Sequence, residues 1–114
     1  MDLNMEGIIW GLEELSDRSE QERLWAGVGN DGSEISSFVE AVCCTFNDTG
    51  LSNLIEKGSA SERIPPAQIE NLKQLSLLCK SIPSHLSPTE EIAHPVMAEV
   101  RLAAARVLAN LRSH

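Results

Sequence analysis

The chain reads as an all-α protein, a single-domain bundle of about five to seven helices, and three observations lead there. Apolar residues recur at the 3, 4, 7 and 8 spacings of a buried helical face, while no stretch alternates at the period of two that a half-buried strand needs. Tyr is absent and only two Phe and two Trp occur, so the aromatic enrichment of strands is missing. Helix-starting signals such as Pro65-Pro66 and Ser87-Pro88-x-Glu90 punctuate the periodic stretches.

Met5, Ile8, Ile9, Leu12 and Leu15 predict a first amphipathic helix from roughly Asn4 to Leu15, at some propensity cost from Gly7 and Gly11. Trp10 lies beside that stripe. Ser19 followed by Glu22 resembles a capping box, opening a short helix that carries Leu24 and Trp25. Ala26 to Gly32, rich in glycine and containing Asn30-Asp31, is a loop. A third, central helix is expected over about Ser33 to Asn47, with Ile35, Phe38, Val39, Val42, Cys43 and Phe46 on its buried face. Asn47-Asp48-Thr49-Gly50 ends it and starts another, with Leu51, Leu54 and Ile55 inward and Lys57-Gly58 closing it. Gly58 to Arg63 is small and polar, a flexible connection.

Pro65-Pro66 pre-sets a helix through Ile69, Leu72, Leu75, Leu78, Cys79 and Ile82 that Pro83 stops. Ser87-Pro88-x-Glu90 opens a short turn interrupted by Pro95, which begins the last helix. There Met97, Val100, Ala104, Val107, Leu108 and Leu111 form the buried stripe, and Arg106 and Arg112 complement the carboxyl end of the helix dipole.

Composition narrows the function classes. With 114 residues, 42% hydrophobic and 23% charged, the chain matches ordinary globular proteins rather than disordered or fibrous ones. Its net charge of −8 disfavours nucleic acid and anionic lipid, which that field repels. The charge is uneven: residues 1–57 hold twelve acids and three bases, hence −9, whereas residues 58–114 hold five acids and six bases, hence +1. An acidic half of this kind either steers a basic partner or serves as a solvated face. The amino terminus lacks the basic start and apolar core of an export signal, and no apolar run approaches bilayer length. Three cysteines, an odd number, do not make a disulfide framework, so a reducing bacterial-type cytoplasm is expected.

No constellation announces a reaction. Gly27-Val28-Gly29-Asn30-Asp31-Gly32 follows no strand and precedes no Lys-Ser or Lys-Thr, so it is a turn and not a phosphate loop. Thr45, Asn47, Thr49, Gly50 and Glu56 match a calcium-loop spacing only superficially, since Thr45 stands where an acid is needed. Cys43, Cys44, Cys79, His85, His94 and His114 show no metal-ligand spacing. Glu13 and Glu14, like Glu90 and Glu91, are adjacent and point apart on a helix, so neither pair converges on one proton; Glu90 reads as a cap. With so few aromatics, Trp10 and Trp25 are both expected in the core, and Trp25 is also the candidate interface anchor.

Trp10-x-x-x-x-Leu15, Asp17-x-x-x-Gln21-x-x-Leu24-Trp25, Ser36-Ser37-Phe38-x-Glu40-Ala41-Val42, Asn47-Asp48-Thr49-Gly50-Leu51 and Pro95-x-x-x-x-Val100 occur in that order. The chain in this respect resembles a family of small, functionally uncharacterised bacterial proteins with the same succession, over most of its length. Asn47 stands where the family pattern carries an acid. In size, charge and lack of catalytic motifs the chain is similar in general character to immunity proteins of bacterial toxin systems, which implies occlusion of a basic toxin surface by carboxylates.

The expectation is therefore a cytoplasmic, non-enzymatic binding protein, an immunity or inhibitor protein for a basic toxin domain, with no cofactor or metal. Its contacts would be Glu13, Asp17, Glu20, Asp31 and Glu34, with Trp25 as anchor. The alternative is a structural or regulatory module that self-associates, as a homodimer, through an apolar helical face. A third reading is an enzyme in which Asp48, Glu40 and a Cys or His converge in one pocket.

Overall fold

Asn4 starts the first helix because its Oδ1 accepts the Gly7 amide at 3.0 Å, satisfying one of the donors that a helix leaves open at its amino end. The computed structural model describes residues 4–27, 36–57 and 64–113. Helix α1 spans Met5–Ser16, and Asp17 in extended backbone then caps α2, Arg18–Leu24, by accepting the Ser19 and Glu20 amides. The expected Ser19 and Glu22 box is thus replaced by Asp17. Its carboxylate sits two residues earlier and leaves Glu22 to pair with Arg18 at 3.1 Å.

Helix α3, Phe38–Val42, begins at Ser37, whose hydroxyl accepts the Glu40 amide at 3.1 Å, so the third helix is much shorter than expected. It runs into a π-helical turn, Cys43–Asn47. There the Thr45 hydroxyl donates to the Ala41 carbonyl and the Thr49 hydroxyl to the Thr45 carbonyl, each at 2.6 Å. Hydroxyls that bond back along a helix loosen its ladder, and here the Asp48 amide reaches the Cys43 carbonyl at 3.0 Å. Each extra residue in a wide turn rotates the following side chains by about 100°. The apolar stripe expected over this segment is split: Phe38 and Phe46 are buried, Val42 and Cys43 half-buried, and Val39, ahead of the wide turn, is exposed. Gly50, with φ of 84°, turns the chain into α4, Leu51–Lys57, a left-handed step that glycine makes without strain.

Pro66 opens α5, Pro66–Lys80. A full capping box starts α6, Pro88–Ala93, with Ser87 Oγ accepting the Glu90 amide and Glu90 Oε1 accepting the Ser87 amide. His94, held extended before Pro95, separates α6 from α7, Pro95–Ser113, and its Nδ1 accepts the Val96 amide at 3.1 Å. The expected all-α architecture is what the chain adopts: seven α-helices and one π turn, with no strand among the described residues.

Helix α7 organises the bundle by packing against both α1 and α5. Ile8, Leu12 and Leu15 of α1, Leu72 and Leu75 of α5, and Met97, Val100 and Ala104 of α7 are fully buried, a continuous apolar core of the kind that stabilises helices too short to stand alone. On its other side α1 meets the π turn. A Cβ at Gly11 would overlap Thr45 Oγ1 and lie 2.7 Å from Thr45 Cβ, and one at Gly7 would come within 3.0 Å of Thr49 Cγ2. The two glycines therefore set how closely α1 approaches that turn. One buried polar residue ties three helices: Gln21, fully buried, donates to the Glu14 and Leu15 carbonyls and accepts from Arg101 Nη1 at 2.9 Å.

Candidate functional site

Gly11 meets Thr45 where α1 approaches the π turn. Trp10, the residue before it, is turned outward and is 80% exposed, which corrects its expected place in the core. The indole stands between two open clefts. One, of about 390 Å³, has Gly7, Gly11 and Ala41 among its lining and carries Glu14, Glu40 and Asp48. The other, of about 610 Å³, carries Glu6 and Glu13. Among the described residues, no Lys, Arg or His lines either cleft. Among the described residues Glu40 and Asp48 have no ion-pair partner, and the one cation bound to this group is Arg112, 3.4 Å from Glu13.

Each wall has a local cause. Glu14 is fixed from behind, its carboxylate accepting the Trp25 indole N–H at 2.7 Å and the Ser36 hydroxyl at 2.8 Å. Glu40 is in the first turn of α3, where a carboxylate complements the helix dipole. The wide turn Cys43–Asn47 separates Glu40 from Asp48 and lets Glu40, Cys44 and Asp48 share one cleft. Burial, then the charge and hydrogen bond of Asp48, then Glu40 and Glu14, push the Cys44 thiol above its ordinary value of 9.0. A thiol so held stays protonated near neutrality and is a poor nucleophile.

Most of the carboxylates expected to make contacts have structural duties. Asp17 caps α2, Glu20 pairs with Arg23 at 2.7 Å, and Glu13 pairs with Arg112 while also lining the second cleft. Trp25, the expected anchor, is buried at 6% exposure and meets Phe38 edge-on at 5.7 Å between ring centroids; it is a core residue, as its placement over Glu14 and Phe38 requires. Asp31, Glu34 and Ile35, like the connection 58–63, lie outside the described residues. Of the groups named in the enzyme reading, Glu40, Asp48 and Cys44 line one cleft, with no histidine among its described lining residues. Thr45 and Thr49 of the calcium-like spacing are buried with their hydroxyls donated to helix carbonyls. No group of three His, Cys, Asp or Glu among the described residues is arranged to hold a metal ion, and no described helix is long and apolar enough to cross a membrane.

Sequence reasoning singled out Glu40 and Asp48 but not Trp10 or Glu14 as surface-site residues. Gly7 and Gly11, one turn apart, were the available signal, because glycine inside a helix marks a close backbone approach. No protein-family model, curated protein or solved structure matches the chain.

Proposed function

We propose that this chain is a non-catalytic binding protein that captures a basic segment of a partner protein across Trp10, in the manner of an immunity or inhibitor protein covering the basic active surface of a toxin domain in a reducing cytoplasm. The observation that carries this reading is a largely exposed Trp between two clefts lined by Glu6, Glu13, Glu14, Glu40 and Asp48, with no cation in either lining among the described residues. An indole face attracts Lys and Arg by about 0.5–1 kcal/mol at exposed sites. The carboxylates add long-range steering and penalise acidic competitors. A raised thiol pKa at Cys44, with no histidine among the described residues lining its cleft, favours binding over nucleophilic chemistry.

The test is affinity capture from the native bacterium with wild-type, Trp10→Ala and Glu40→Lys/Asp48→Lys baits, at low and high salt, followed by activity assays on the captured protein. A basic partner retained by wild type at low salt, lost from both variants, and inhibited by the wild-type protein is the expected result. One that binds all three baits equally would overturn the reading.

A further inference from the structure

The outward face of α7 lies away from the contacts that hold the bundle together. Met97, Val100, Ala104, Val107 and Leu108 turn into the core, and Ala98, Leu102, Ala105 and Ala109 form the opposite stripe, all of it exposed. Leu102 is 66% exposed at the middle of that stripe, leaving most of a leucine side chain in solvent. It rims an open groove of about 370 Å³ between α5 and α7, which Gln74, Leu78 and Ala103 also line.

The charges flanking the stripe indicate what covers it. Glu99 and Arg106 lie on one edge, seven residues apart, about 10 Å along the axis at 1.5 Å per residue. That separation is too long for a pair within the chain, and neither residue has an ion-pair partner among the described residues. In an antiparallel pair of identical helices related by a two-fold axis, each edge faces the same edge of its mate with direction reversed. With the axis between Leu102 and Ala103, Glu99 meets the partner's Arg106 and Arg106 meets the partner's Glu99, while Leu102 is covered at the centre. The small side chains of Ala98, Ala105 and Ala109 let two helix backbones approach closely.

We infer that a second copy of this chain covers the α7 face, in a two-fold antiparallel contact centred on Leu102 and bracketed by reciprocal Glu99 to Arg106 ion pairs. The contact uses none of the residues around Trp10, so it stands or falls independently of the binding function proposed above. A single helix face of this size makes a concentration-dependent monomer–dimer equilibrium rather than an obligate dimer.

Analytical ultracentrifugation of the purified chain over a wide concentration range tests the inference. Dimerisation is expected for wild type, with at least a tenfold loss of affinity in Leu102→Glu, whose exposed position leaves the fold intact by circular dichroism. Glu99→Arg and Arg106→Glu alone should each weaken the dimer, and the two together should restore it, since the swap rebuilds both pairs with reversed polarity. A chain that stays monomeric at millimolar concentration overturns the inference, as does a dimer indifferent to Leu102→Glu or a double swap that recovers nothing.

Discussion

Two tryptophans of the same helical neighbourhood have opposite roles, and the difference comes from what their neighbours allow. Trp25 is covered by Phe38 and donates its N–H to Glu14, whereas Trp10 flanks the Gly11 contact and faces solvent. Trp25→Ala should therefore cost about 3–5 kcal/mol of stability in urea denaturation, as for other buried aromatics. Trp10→Ala should stay within about 0.5 kcal/mol while lowering partner affinity by about 2 kcal/mol, some thirtyfold, as expected for an anchor residue. The cysteines separate in the same way. Burial pushes the Cys79 thiol up to about 12, so it should resist alkylation until the protein unfolds. Because its folded pKa lies above the unfolded value, its contribution to stability is complete below the ordinary thiol range and is lost as pH rises through about 12. Cys44 is exposed, yet desolvation and the neighbouring carboxylates hold it protonated. Alkylation at pH 8 should be slow at Cys44 and faster in Asp48→Asn, measured by mass spectrometry of the labelled peptide; an unchanged rate would show that Asp48 does not govern the thiol.

At the scale of elements, the contact of α1 with the π turn has the most consequence for function, because it both closes the bundle on that side and opens the clefts. Gly11→Ala would gain about 1 kcal/mol of helix propensity in an isolated helix. Here the added methyl meets Thr45 Oγ1 and Cβ, and overpacking of that kind costs about 1–3 kcal/mol. We expect Gly11→Ala to lower the denaturation midpoint, with partial recovery in Gly11→Ala/Thr45→Ala; a stabilised single variant would show that α1 moves away freely. The capping box of α6 shows how local chemistry suffices elsewhere. Hydrogen bonds from the Ser87 amide and hydroxyl region hold Glu90 below the usual carboxylate range. Its contribution is present above the unfolded carboxyl pKa and fades as pH falls through the depressed folded one. Ser87, Pro88 and Glu90 were legible as that cap because all three act within one turn. The start of α2 was not, since Asp17 and Ser19 both have capping chemistry and only the path of the chain out of α1 selects between them.

At the scale of the whole molecule, the excess of acid in residues 1–57 has a structural counterpart in the carboxylates gathered around Trp10. Like charges held together oppose folding, and groups kept together without cations are the ones whose neutralisation relieves it. Asp48→Asn should leave thermal stability unchanged or raised while weakening capture of a basic partner. If stability falls with binding, Asp48 belongs to the scaffold rather than to the surface.

The sequence by itself determined the helical class, most helix starts and the core stripes of α1, α5 and α7, because caps and 3.6-residue periodicity act within a few residues of their own position. It also determined the acidic bias of the amino-terminal half. Only the tertiary structure decided which tryptophan is outside, which acids are engaged in caps and pairs, and which have no ion-pair partner among the described residues. Those outcomes depend on the approach of Gly11 to Thr45, the bonding of Glu14 to Trp25 and Ser36, and the reach of Arg101 to Gln21. These contacts join residues from 11 to 80 positions apart, a range over which no local pattern carries information.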